Sequence, residues 1–315
     1  MDNTLNRQKT GSIIQRFGSL ITLVLVIIVL SIISSDFRSV GNMLSLLRQA
    51  SVNALIAFGM TCVIITGGID LSVGSALALS SLICAMMVKA DIPPELAILT
   101  TLILGIVLGM LSGLLVTKGR LQPFIATLIT MTIYRGATLI FSGGRPVSGL
   151  GSNALLSGIG KGAILGIPVP AIILFLMFIL FFFMLNKTVS GRRIYATGSN
   201  QQAAKLAGVN TDRTKLFVYA ISGFMSALAG LVILSRLGSA QPTIGMGYEL
   251  DAIAAVALGG TSMSGGRGKI YGTLIGVLII AVLNNGLNIL DVSSYYQDVV
   301  KGVVILLAVL ADRKR

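Results

Sequence analysis

An all-α polytopic membrane protein of about ten transmembrane helices is the fold class predicted for this 315-residue chain. Three observations predict it: 54% of residues are hydrophobic, only 11% are charged, and long apolar runs dominate. Soluble domains carry about a quarter charged residues, so an ordinary globular protein, a disordered chain and a disulfide scaffold are excluded. A net charge of +13 suits a nucleic-acid binder only on a solvated basic face with few long apolar runs, and no nucleic-acid partner is expected. The chain has no histidine, which removes a His-based triad, the HExxH zinc site and the commonest proton shuttle. Cys62 and Cys84, each inside an apolar stretch, read as small buried hydrophobes rather than as a disulfide or metal pair. Neither catalysis, nor a cofactor, nor a metal is expected in this chain.

A span needs about 20 mostly apolar residues. The first candidate, Leu20–Ile33, follows Arg7, Lys9 and Arg16 and is followed by Ser34, Ser35, Asp36 and Phe37 without a small-residue cleavage site, which predicts a retained signal anchor. Ala50–Thr66 is marginal for a span, and Ser72–Val88, Leu96–Val116, Phe124–Phe141, Ile167–Leu185 and Leu216–Leu234 are full ones. Leu250–Leu258 is too short alone; Ile270–Leu290 and Val299–Leu310 complete the ten. An even number of crossings puts both termini on one side. Lys and Arg concentrate in the loops at 1–17, 117–122, 186–215, 266–269 and 311–315, so these loops and both termini are expected in the cytoplasm. Arg135 and Lys301 fall within spans toward the outer end, where snorkelling to the interface is expected, with a role in guiding a polar solute as the alternative. The chain reads as a single transmembrane domain over 1–315, its first half about 18–141 and its second about 167–311.

A Gly-Gly-x-x-x-Ser-x-Gly signature occurs twice: Gly67, Gly68, Asp70, Ser72 and Gly74 in the first half, and Gly259, Gly260, Ser264 and Gly266 in the second. Each copy follows a short apolar segment and precedes a full one. Short, glycine-interrupted helices in corresponding positions point to a substrate path or gate, because backbone groups freed by a helix break in lipid must face protein or water. The alternative is tight packing and a turn, with Asp70 or Ser72 capping the next helix; for Asp70 the cap is favoured. Asn53, Asn284, Asn285 and Asn288 lie in otherwise apolar helices, where their amides line a path or join helices by hydrogen bonds.

The basic segment 186–215 contains a second helix signal. Asn200 is a good N-cap, 201–207 is helix-compatible, and Gly208 suits the left-handed position that ends a helix. So short a helix is unstable alone and must dock against this chain or a partner. Ala203 and Ala204 offer a low-profile surface for a cleft, and Lys205 and Arg213 offer charge. An ion-coupled transporter remains a rival reading, for which only Asp70, Glu249 and Asp251 are near candidates.

Four stretches carry a resemblance: GGIDLSVGS from Gly67, GRRIYATGSNQQAAKLAGV from Gly191, LGGTSMSGGRGKIYGTLIG from Leu258 and NNGLNIL from Asn284. Over nearly its whole length the chain resembles the branched family of bacterial ABC importer permeases serving ribose and related sugars. Ser142–Val147 (SGGRPV) and Gln241–Asp251 favour ribose. The resemblance implies a multi-pass inner-membrane permease forming a homodimer around a central path. It also implies two cytoplasmic ATP-binding subunits, or one duplicated ATPase, and a periplasmic sugar-binding protein. Gly198, Asn200, Ala203, Ala204 and Gly208 correspond in that family to the coupling helix that docks into the ATPase. The chain carries no P-loop: Gly268 and Lys269 precede Ile270, where Ser or Thr is needed, and Met263 stands where the first glycine belongs. ATP and magnesium are therefore expected on the partner ATPase.

Overall fold

The structure is a computed structural model that describes residues 2–150 and 154–312. Arg313, Lys314 and Arg315, assigned above to the basic side, lie outside the described residues. Each of the ten apolar stretches falls on a helix. In chain order the helices are α1 (Asp2–Ile33), α2 (Val40–Ile65), α3 (Val73–Lys89), α4 (Pro94–Thr117), α5 (Pro123–Ser142), α6 (Ala154–Lys161) and α7 (Val169–Lys187). They continue with α8 (Val189–Ser199), α9 (Gln201–Leu206), α10 (Thr211–Leu237), α11 (Tyr248–Leu258), α12 (Ile270–Ile289) and α13 (Ser294–Asp312). By length and composition α2, α4, α5, α7, α10 and α12 are able to cross a membrane. The apolar part of α1 and all of α3 are shorter, and α11 has only 11 residues.

Local chemistry sets several of these boundaries. α4, α5 and α7 each carry proline in the first turn, where its missing N–H has no helical acceptor to lose. α2 starts at a Ser39 cap whose Oγ accepts the Asn42 N–H at 3.2 Å. Its 26 residues correct the expectation of a marginal segment from Ala50: Ser45, Arg48 and Gln49 break the apolar run but not the helix. In the first glycine signature the short helix is therefore α3, after the break; in the second it is α11, before it.

Burial separates central from peripheral helices. In α2, 83% of the most apolar stretch is buried, against 28% in α5 and in α7. α10 packs along α4, α2 and α3. On α4, Gly105, Gly109 and Gly113 form a stripe facing α10, where added side chains would overlap Ala227 and the Tyr219 carbonyl; small residues let the two backbones approach. Two irregular connections are tied together by antiparallel pairing of Val147–Ser148 with Ser239–Ala240.

Both intramembrane cations have protein partners. Arg135 turns to the protein, donating from Nη1 to the carbonyls of Pro242 at 2.6 Å and Ile244 at 2.9 Å. Lys301 on α13 pairs with Asp251 on α11 at 3.5 Å. A polar group shielded from water is held by protein partners wherever they lie within reach.

Candidate functional site: the meeting of the two glycine breaks

After Ile65 the helix ends and the chain runs irregularly through 66–72 before α3. Asp70 is 1% exposed. Its carboxylate accepts the Ser72 N–H at 3.0 Å, the Ser72 hydroxyl at 2.6 Å and the Ser222 hydroxyl of α10 at 2.7 Å. The Ile69 carbonyl accepts from Thr127 on α5 and from Tyr219 on α10, each at 3.2 Å. The first break is thus pinned to α5 and α10; Asp70 closes a turn onto Ser72, and the α3 N-terminus carries no side-chain cap. Gly68 sits beneath the Tyr219 hydroxyl, and Gly74 lies against the Gly245 carbonyl.

The second break begins where Gly259 packs on Gly272, bringing α11 against α12; here the tight-packing alternative describes the glycine. Gly260 is followed by Thr261, whose buried hydroxyl has no hydrogen-bond partner among the described residues. The Ser264 carbonyl lies beside Gly67. The Gly266 N–H donates to the Ile65 carbonyl at 2.8 Å. A bond from the second break therefore closes on the last turn before the first.

The 186–215 segment completes this junction. α8 begins at a Thr188 cap, whose Oγ1 accepts the Gly191 N–H at 3.2 Å. Its Ile194 is fully buried, and the Tyr195 hydroxyl donates to the Gly268 carbonyl at 2.7 Å. At Gly198 a Cβ would overlap the Ile65 carbonyl oxygen and come within 2.7 Å of the Gly266 nitrogen. Only glycine lets α8 rest directly on both breaks. Burial pushes the Tyr195 phenol up to about 12, which keeps it a neutral donor.

α9 follows the caps expected for it. The Asn200 side chain accepts the Ala203 N–H at 3.0 Å, and Gly208 has φ +82°. The two alanines do not form one outer surface, however: Ala204 is buried against the chain, while Gln202, Ala203 and Lys205 are exposed. Leu206, 91% exposed, is the large apolar residue on that face. In α9 the face turned inward is set by Ala204, and the face available to a partner is the opposite one.

The four asparagines divide. Asn285 exchanges two hydrogen bonds with Asn42, at 2.9 and 2.8 Å, and joins helices. Asn53, Asn284 and Asn288 line a cavity of about 110 Å³ between α2, α10, α11, α12 and α13, together with Gln49, Arg236, Tyr248, Asp251, Gln297 and Lys301. Asn288 accepts from Gln297 at 2.8 Å, and the Asn284 Oδ1 is buried without a partner among the described residues. At ~30 Å³ per water the cavity has room for roughly three or four waters, below the roughly 300 Å³ at which small-molecule sites begin. Sequence reasoning paired none of Asp251, Gln297 and Lys301 with these asparagines: Asn53 and Asp251 lie on α2 and α11, far apart in the chain, and Gln297 reaches Asn288 only because α13 folds back after the short turn that follows α12.

Of the three carboxylates considered for ion coupling, Asp70 is held by three donors and Asp251 by Lys301, while Glu249 accepts the Gly247 N–H at 3.3 Å. No group of three or more metal-ligating side chains occurs among the described residues.

Comparison with known proteins places this architecture. The family model described as branched-chain amino acid transport system, permease component, matches residues 42–309. A ribose import permease protein of Bacillus subtilis (strain 168) is 56% identical over 303 residues, covering 96% of this chain and 94% of the relative. Its counterpart in Haemophilus influenzae is 53% identical over 314 residues, covering 99% and 97%. A xylose transport system permease protein of Escherichia coli (strain K12) is 36% identical, covering 88% and 86%. No solved structure matches the chain. The family match takes in both glycine breaks and the segment docked on them, and the chain belongs to the branched-chain amino acid transport system permease family, as a multi-pass membrane component of a transport system.

Proposed function

We propose that this chain is the membrane subunit of an ATP-driven ABC importer that carries ribose into the cytoplasm. Two copies surround a central path. Cytoplasmic ATP-binding subunits, or one duplicated ATPase, hold ATP and magnesium, while an extracytoplasmic sugar-binding protein delivers the solute. The chain sits in the bacterial inner membrane with both termini in the cytoplasm, does no chemistry itself and needs no cofactor. Identity above one half to ribose import permeases, against 36% to a xylose permease, supports ribose.

The observation that carries the reading is the seat of α8 on both glycine breaks through Gly198, Tyr195 and the bond from Gly266 to Ile65. α9 is capped onto the end of α8 and exposes Gln202, Ala203, Lys205 and Leu206. A partner that grips this exposed face and moves with its own ATP cycle shifts α8, and α8 has no compressible layer between itself and the breaks. Close-packed contacts transmit displacement rather than absorb it. The breaks of two subunits then rearrange to open the path to the loaded binding protein, and hydrolysis resets them. A neutral sugar suits a bundle whose Asp70 and Asp251 are already engaged.

The test is Ala203→Glu in proteoliposomes containing the chain, its ATPase and its binding protein. Ala203 is exposed, so folding is spared, while a bulky charge enters the docking face. ATP-driven ribose uptake is expected to fall by about tenfold or more, the equivalent of losing one well-packed contact. Assembly of the ATPase, or the sugar stimulation of its hydrolysis, is expected to fail with it. Normal uptake with normal assembly sinks the coupling role. Equal uptake of ribose, xylose and allose by the native transporter sinks the assignment to ribose.

A further inference from the structure

We propose that the solute touches this chain in the groove between α5 and the segment leading into α11, with Thr132 and Glu249 as contacts for a neutral polyhydroxylated molecule of pentose size. The proposal rests on the permease reading above and assigns that reading a solute-contact site.

The groove has a volume of about 420 Å³ and is lined by Ser75, Thr132, Arg135, Met246, Gly247 and Glu249, among others. That volume lies within the roughly 300–1,000 Å³ typical of small-molecule sites, whereas the asparagine-lined cavity is water-sized. A second surface cleft of similar volume is lined by Arg48, Lys161 and Arg236, a set suited to an anion rather than a neutral solute. In the groove a guanidinium and a carboxylate occur together, so the charges offset.

Both short helices begin here. Gly74, in the first turn of α3, lies so close to Glu249 that a Cβ would come within 2.8 Å of its Oε2. Gly247 is the N-cap of α11 and donates its N–H to Glu249 Oε1 at 3.3 Å. The starts of half-helices turn backbone donors toward a path. Arg135 spends only Nη1 on the carbonyls of Pro242 and Ile244, which fixes the groove wall. Its other N–H groups have no acceptor among the described residues. The Thr132 hydroxyl donates to Leu128 at 3.0 Å and keeps lone pairs for a sugar hydroxyl. Met246, 67% exposed, supplies an adaptable apolar surface for sugar C–H groups. A carboxylate acceptor, guanidinium donors and a hydroxyl beside an apolar wall are the complement of a molecule whose hydroxyls both donate and accept.

Two measurements on the full transporter in proteoliposomes test this. First, Glu249→Gln and Thr132→Val are each expected to lower ATP-driven ribose uptake by about tenfold, the loss of one solute hydrogen bond to each, with assembly and basal ATP hydrolysis retained. Native uptake by both variants overturns the proposal, as does loss of assembly in both, which assigns the residues to structure instead. Second, Thr132→Cys is expected to react with a water-soluble maleimide and to be slowed by excess ribose. Failure to react, or reaction indifferent to ribose, overturns the site. Absence of any ATP-driven sugar uptake by the native transporter defeats the permease reading, whereas the labelling result reports on the groove independently of turnover.

Discussion

Gly198 has no room for a side chain, and its neighbours are backbone atoms that have nowhere to move: the Ile65 carbonyl, which a Cβ would overlap, and the Gly266 nitrogen 2.7 Å from it. Overpacking of a close contact costs about 1–3 kcal/mol, and here it also pushes α8 off the breaks. Gly198→Ala is therefore expected to lower the thermal stability of the purified protein and to abolish ATP-driven uptake. Gly302→Ala is the control, since nothing lies within 4 Å of that position on α13. It is expected to leave uptake unchanged and to add about 0.5–1 kcal/mol of helix stability. The glycine signatures were legible in the sequence as breaks because glycine pairs interrupt apolar runs. Gly198 carried no such local mark: its constraint comes from residues over 60 positions away in either direction. Nor did any local pattern pair Lys301 with Asp251, which lies 3.5 Å from it.

Among the elements, α9 and α8 show what sequence pattern reveals and what it hides. α9 was legible because its stop and start are chemical: Asn200 accepts the Ala203 N–H, and Gly208 takes the left-handed turn. α8 was not, since Arg192, Arg193 and Gly198 give it a polar surface and its apolar residues Ile194 and Tyr195 are too few to show a period. It is held by tertiary contacts, chiefly the buried Ile194 and the Tyr195 hydroxyl bonded to Gly268. Tyr195→Phe removes that bond, with an expected cost of about 1 kcal/mol. Sugar transported per ATP hydrolysed is expected to fall while assembly persists, which simultaneous uptake and phosphate-release assays resolve. The pH dependence follows in sign. Burial raises the phenol from its ordinary value to about 12. The contact's contribution is then complete below an unfolded pKa of about 10 and is lost only as pH rises toward the folded one. Coupling in the native protein is expected to be insensitive to this group across about pH 6–9; a difference in coupling between the native protein and the Tyr195→Phe variant that vanishes within that range contradicts the hydrogen-bond role.

For the whole molecule, the arrangement across the membrane turns on helices shorter than a span, α3 and α11 among them. Lys161 and Lys205 are separated by α7, which is long and apolar enough to cross by itself, flanked by connections without another span. Whatever α3 and α11 do, Lys161→Cys and Lys205→Cys are expected to react with an impermeant thiol reagent from opposite faces. Lys89 lies between α3 and α4, and Lys118 between α4 and α5. With α4, α5 and α7 each crossing, Lys89→Cys labels with Lys161→Cys and Lys118→Cys with Lys205→Cys; if α3 completes a crossing together with its turn at 66–72, Arg38→Cys, which precedes α2, also labels from the same face as Lys89→Cys. If α3 instead returns to the face from which it entered, Lys89→Cys labels from the face opposite to Arg38→Cys, and every later loop changes face relative to the start of the chain. The preference of Lys and Arg for one face and the ten helical stretches both favour the first outcome. Cys62 and Cys84 are fully buried and should stay silent, so the native chain serves as the background. Right-side-out and inverted vesicles labelled in parallel then read the orientation directly, with Lys205→Cys expected to react from the face proposed to meet the ATPase.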